Sequence, residues 1–202
     1  MNRVLVILII LLPLGLDPPA QSEAAVISFE DLSDSTPVAD QYRMLGPVFS
    51  TGIVVESGIS LFEQEYPPYG GEKALLVETG MLELRFDTPA TRFGAYVTYA
   101  SPLWVLFYDS AGNAVETFSS QFSSNLALCG DIGSNPNEYF GLEHPHGLSR
   151  VAFRLTSGCG TFVVDEISVV TVDEPPIWTG LFLGFLGIGL IVAVSDSRDR
   201  QS

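Results

Sequence analysis

The chain has 202 residues, with 9 Lys and Arg against 24 Asp and Glu, for a formal net charge of −15. No basic stretch is visible along it, so nucleic acid and anionic lipid surfaces are poor partners. The length suffices for one domain with a real core.

The first 24 residues, "MNRVLVILIILLPLGLDPPAQSEA", stand apart. A single Arg3 precedes an apolar run from Val4 to Leu12, and Ser22 and Ala24 supply a small-x-small site. This is the pattern of a secretory signal peptide cleaved after Ala24; the run is too short to span a bilayer. Residues 25–172 then read as an exported ectodomain. Ala25 to Pro176 carries six basic and twenty acidic residues, a net −14.

The ectodomain pattern is β. Short β-branched and aromatic runs alternate with turn residues. Strands are predicted near 25–30 (AVISFE), 48–56, 58–62, 73–79, 81–86, 92–100, 103–109 (LWVLFYD), 114–120, 138–143, 150–155 and 161–170. The segment "DSAGN" at 109–113 is the clearest hairpin signal. Many short strands without helical periodicity before residue 177 predict an all-β, two-sheet sandwich of jelly-roll type. In LWVLFYD both alternating sets are apolar, which predicts a strand covered on both faces, with Trp104 and Tyr108 packed inside rather than offered to a sugar ring.

The last segment closes the reading. Ile177 to Val194 is eighteen residues without a charge. As a helix it measures roughly 27 Å, enough for a bilayer core. Pro175 and Pro176 suit a helix start, Trp178 an interfacial position, and Arg198 and Arg200 the cytoplasmic side. The expectation is a C-terminal transmembrane helix over 177–194 that leaves the β domain outside.

Few residues point to chemistry. Cys129 and Cys159 are the only cysteines. In an oxidising compartment they are expected to form a disulfide, contributing about 3 kcal/mol through loop closure. The only histidines lie in "EHPHG", where Glu143, His144 and His146 invite a metal reading, but a solvated turn between strands suits them better. The sequence lacks the G-x-S-x-G elbow of a hydrolase. The loop "EQEYPPYGGEK" places Tyr66 and Tyr69 around two prolines, as candidate ligand-gripping aromatics or as caps on the sandwich end.

Three stretches carry a family resemblance: "VISFEDL", "FGAYVTYASPLWVLFYDSAGNAVETF" and "EYFGLEHPHGLSRVAFRLTSGCGTFVVDEISV", followed by the proline-marked apolar tail. Together they resemble the PEP-CTERM (exosortase-sorted) surface proteins of Gram-negative bacteria. The resemblance implies that exosortase, a membrane cysteine transpeptidase-like enzyme, recognises the tail over 173–202 and cuts near its Pro-Glu-Pro triplet. Here Glu174 and Pro175 match the last two triplet positions, Asp173 stands in place of the first proline, and Pro176 follows. Jelly-roll modules that resemble this one often hold calcium where the first and last strands meet. By that resemblance Glu30, Asp31 and Asp165 are calcium candidates; as plain residues Glu30 and Asp165 read as exposed edge charges that limit sheet aggregation. The functional expectation is an exported, membrane-anchored or exosortase-processed protein of the surface or extracellular polysaccharide matrix. A lectin-like carbohydrate-binding module is the second reading and a secreted hydrolase a weaker third.

Overall fold

A computed structural model describes residues 24–171. The rest of the leader, the sorting residues Asp173, Glu174, Pro175 and Pro176, and the apolar segment 177–194 lie outside the described residues. Among the described residues no helix is long and apolar enough to cross a membrane.

The fold is all-β and antiparallel, consistent with a sandwich. Among the described residues nine strands follow in order: β1 (Ala25–Ile27), β2 (Pro47–Phe49), β3 (Ile53–Glu56), β4 (Lys73–Val77), β5 (Met81–Tyr99), β6 (Leu103–Tyr108), β7 (Ala114–Ser119), β8 (Glu138–Leu155) and β9 (Phe162–Thr171). A short 3-10 turn, Arg43–Leu45, precedes β2.

Two long strands build both layers. The first half of β5 pairs with β2 and with the second half of β8, which continues to β6 and β7. The second half of β5 pairs with the first half of β8 and with β9, which continues to β1, β4 and β3. Register breaks between Arg85, Ala90 and Arg92 mark the bend where the chain passes from one layer to the other. The expected strands at 81–86 and 92–100 are therefore one strand, as are those at 138–143 and 150–155. The turn chemistry of "DTPAT" and "HPHG" bends each strand without ending it.

Two other boundaries differ from expectation. The run 48–56 is two strands, split at Gly52. That residue has φ +132, and a Cβ there would lie 2.6 Å from Leu75 Cδ1, so only glycine fits the crossing. Residues 58–62 form turns with a single bridge, Ser57–Leu61, because Gly58 has φ +74.

Between the layers lies one core. Phe93 sits at its centre, with Phe86, Phe107 and Phe153 rings 6.0–6.2 Å away. Phe29, Tyr42 and Phe49 make a second edge-to-face set at 5.6–6.1 Å, geometry that aromatic quadrupoles favour. β6 corrects a prediction: Leu103, Val105 and Phe107 are buried, but Trp104 is 50% exposed, so the strand is covered on one face only.

The long loop between β7 and β8 is held by buried Asn125. Its Oδ1 accepts the Tyr99 N–H at 2.6 Å and its Nδ2 donates to the Val97 carbonyl at 2.9 Å. This one side chain takes up two backbone groups at the end of β5 that need partners.

Candidate functional site

The outer face of β9, β5 and β8 is unusual in what it leaves out. Gly94 on β5 and Gly141 on β8 are directly paired, so a patch of bare backbone opens in the middle of the sheet. Neither has a positive φ; their role is space. Tyr139 fills it, two residues before Gly141 on the same face of β8. A Cβ on Gly94 would collide with the Tyr139 Oη, and one on Gly141 would lie 2.5 Å from it. Tyr139 therefore lies along the sheet and remains 54% exposed.

Tyr96 pairs with Tyr139 across β5 and β8, and their ring centroids are 5.2 Å apart. Tyr69 comes from the loop before β4 and stacks on Tyr96, with centroids 3.5 Å apart and planes within 9°. Tyr69 is 50% exposed. The Tyr69 hydroxyl beside it, its partial burial and the neighbouring Tyr139 and Glu166 push the Tyr96 phenol up to about 12. The result is a shelf of three tyrosines with Ser168 at its edge, whose Oγ points toward the same Gly94.

Carboxylates anchor the loop that delivers Tyr69. A bulge in β9, with Glu166 at φ +48, keeps Ile167 facing the core and turns Asp165 beneath the loop. Asp165 Oδ2 accepts the N–H groups of Tyr69 at 2.7 Å and Gly70 at 3.1 Å. Glu30 Oε1 accepts those of Glu72 and Lys73 at 2.9 and 2.8 Å. Burial pushes the Asp165 carboxyl up to about 6, against the opposing pull of the Gly70, Glu166 and Tyr69 N–H groups. Asn137 completes the frame: its Nδ2 donates to the Pro67 carbonyl at 3.1 Å.

Several residues singled out in the sequence take other places. Tyr66 packs beside Leu76 on a small apolar cluster of Val55, Leu61, Ala74 and Val163; it caps the core, and Tyr69 alone of the pair reaches the shelf. Glu30, Asp31 and Asp165 do not converge. The Asp31 carboxylate accepts the Tyr42 hydroxyl, while the other two hold separate stretches of loop backbone. Among the described residues no group of three His, Cys, Asp or Glu side chains is placed to hold a metal ion. The expected calcium donors do not fit that ion, because each carboxylate is already committed to a different partner.

The disulfide is also corrected: Cys129 and Cys159 are both free and exposed. Cys129 is occupied by Glu65. The Glu65 carboxylate accepts the N–H groups of Leu128 and Cys129 at 3.1 Å, and its hydrogen bond with the thiol raises the thiol pKa and lowers its own. Cys159 sits in the turn between β8 and β9, packed over Gly80.

His144 and His146 lie within β8 at its bend, not in a turn between strands, with rings 5.8 Å apart. Glu143 is drawn off to Arg92, 2.6 Å away. His146 borders a cleft of about 580 Å³ with Arg43, Asp87 and Thr91. Arg43 and Asp87 neutralise each other at 2.7 Å, so that cleft presents no free charge from this pair.

Tyr96 and Tyr139 escaped the sequence reading. Their signal was the mirrored spacing of Gly94-x-Tyr96 and Tyr139-x-Gly141, which puts each tyrosine on the same strand face as a glycine.

No family model matches the chain, and no curated protein matches it. Among solved structures, the K2 cleaved adhesin domain of Lys-gingipain is similar at TM-score 0.44 and 16% identity, over 74% of this chain and all of that one. The K1 adhesin domain from Porphyromonas gingivalis W83 gives 0.44 and 17%, over 75% and 99%. A mutant family 29 carbohydrate binding module gives 0.41 and 16%, over 77% and 98%. At these values the likeness assigns no function.

Proposed function

We propose that this chain is a non-catalytic surface module of jelly-roll type that binds neutral carbohydrate through the tyrosine shelf. The observation that carries this is the shelf itself: Tyr69, Tyr96 and Tyr139 gathered on one sheet face over two side-chain-free positions. Flat aromatic faces match the apolar faces of sugar rings, and phenolic hydroxyls supply hydrogen bonds at the edge. Both exposed rings come from anchored backbone, so little ordering is needed on binding. Location completes the reading. Residues 1–24 export the chain. The tail over 173–202 holds it at the membrane, or presents Asp173–Pro176 to exosortase for release to the surface or polysaccharide matrix. The mass of the protein from native cells decides between these: an end near Pro175 means processing, and an end at Ser202 a permanent anchor.

The test of the shelf is a neutral-glycan array with full-length protein. Tyr139→Ala and Tyr69→Ala are each expected to lower binding about tenfold, the equivalent of roughly 1.4 kcal/mol, while far-UV circular dichroism stays unchanged. If the folded wild-type protein binds no neutral glycan, or binds equally well without these rings, the reading fails.

A further inference from the structure

The outer face of the other layer carries a different chemistry. On this side of β6, β8 and β5 the register aligns three rows, Trp104–Arg154–Met81, Leu106–Ala152–Glu83 and Tyr108–Arg150–Arg85, of which Ala152 is fully covered by its neighbours. Three of the six basic residues between Ala25 and Pro176 stand here. The sequence shows no basic patch because these arginines are spread over residues 85 to 154; antiparallel register brings them together.

One carboxylate stands among them. Glu83 lies 3.3 Å from Arg85 Nη2, 3.6 Å from Arg150 Nη1 and 3.5 Å from Arg154 Nη2. Its side chain is only 15% exposed, so the arginines screen it. Three guanidinium groups against one carboxylate leave a local charge of +2 on a strongly acidic domain. The distances to Arg150 and Arg154 exceed a good hydrogen bond, so Glu83 does not saturate their donors. Arg154 Nε is buried and has no hydrogen-bond partner among the described residues. The Arg150 guanidinium lies 3.8 Å over the Tyr108 ring, which holds it flat. Beside Arg154, Trp104 is half exposed.

We infer that this face binds a carboxylated polysaccharide, with uronate groups meeting the Arg150 and Arg154 guanidinium groups and Trp104 taking a sugar face. The guanidinium fork matches a carboxylate in two parallel hydrogen bonds. The small extent of the charged cluster favours a narrow polymer over a large protein partner. Two interstrand steps by four residues is about 10 by 13 Å, far below the roughly 800 Å² per partner of a stable protein interface. The site is separate from the tyrosine shelf and does not depend on it.

The experiment is affinity electrophoresis of the full-length protein in gels containing sodium polygalacturonate or uncharged dextran, with sedimentation in parallel. Polygalacturonate should retard the wild-type protein, and added salt should weaken the effect. Arg154→Gln and Trp104→Ala should each weaken retardation about tenfold, as expected for a lost charged hydrogen bond or ring contact. Glu83→Gln removes the competing carboxylate and keeps every arginine, so it should strengthen retardation several-fold; this holds the test open even if Arg154→Gln fails to fold. Ile132→Ser, at a fully exposed loop position outside both faces, should leave retardation unchanged. Absence of retardation in the wild type, or no response to Glu83→Gln and Trp104→Ala together, overturns the inference. Concentration-dependent dimerisation that Arg154→Gln abolishes also overturns it, because the face would then be an interface between copies.

Discussion

The two outer faces are built from the same two strands, yet they differ in nearly every respect. On one, Gly94 and Gly141 leave the backbone bare, and tyrosines lie along it. On the other, Glu83, Arg85, Arg150 and Arg154 stand on the same strands as a charged cluster. The bend at Asp87–Thr91 in β5 and His144–Gly147 in β8 separates them. Inward positions do not change character across it: Leu84, Phe93, Phe140 and Phe153 all enter one core. A bent strand pair thus carries two surfaces of opposite chemistry on a shared interior, and either surface can change without the other if the core holds.

The largest effect should come from removing what they share. Phe93 is fully buried just past the bend, with Phe86, Phe107 and Phe153 around it. Phe93→Ala is expected to cost about 3–5 kcal/mol through lost burial and the cavity left behind. Urea unfolding should show this loss, and Tm should fall on the order of 10 °C. Both faces should lose binding together near the new midpoint. A loss below about 1 kcal/mol would mean that the layers are not joined through this ring.

A second change should separate the faces by pH. Burial lifts the Asp165 carboxyl from an ordinary 3.8 to about 6. A carboxyl with a raised folded-state value favours folding most when both states are protonated, below about pH 4. That contribution is lost as pH rises through about 6. Asp165→Asn cannot ionise, so its stability relative to wild type should rise by about 2–3 kcal/mol between pH 4 and pH 8, on top of a pH-independent loss because the amide nitrogen cannot accept the N–H bonds that one Asp165 oxygen takes. Thermal unfolding from pH 4 to 8 reads the difference directly; a pH-independent difference would show that Asp165 is not held neutral. The arginine face, on the other layer, should bind polygalacturonate alike in both proteins at neutral pH.

These contrasts explain what was legible in the sequence. Local alternation revealed most strands, because one buried face imposes a period of two on runs such as "RVAFRL" and "MLELRF". It did not reveal that 81–86 and 92–100 belong to one strand, because a bend with a register shift resembles a turn until the partner strand is known. Tyr69 was visible as an aromatic beside prolines. Tyr96 and Tyr139 were not, because their meeting depends on the β5–β8 register over 43 residues of separation. The arginine cluster was hidden for the same reason. Cys129 and Glu65 show a further limit: pairing two cysteines by count ignores the carboxylate that the fold places against one of them.

The smallest and most discriminating change is Gly141→Ala. Its new Cβ would meet Tyr139 at 2.5 Å from Oη and 2.7 Å from the ring, the far end of a half-exposed side chain that can swing outward. The backbone at 141 is in an ordinary strand conformation, so no strain follows. The methyl also lowers the entropy of the unfolded chain, which offsets part of the steric cost. The net stability change should stay within about 1 kcal/mol. Gly52→Ala makes the contrast clear: there the Cβ meets Leu75 in the core at 2.6 Å and φ is +132, so it should destabilise much more. Because Gly141→Ala moves Tyr139 without touching the core or the arginines, neutral-glycan binding should fall while polygalacturonate retardation persists. Loss of both would show that the two faces communicate through the sheet; loss of neither would show that Tyr139 need not lie flat to bind.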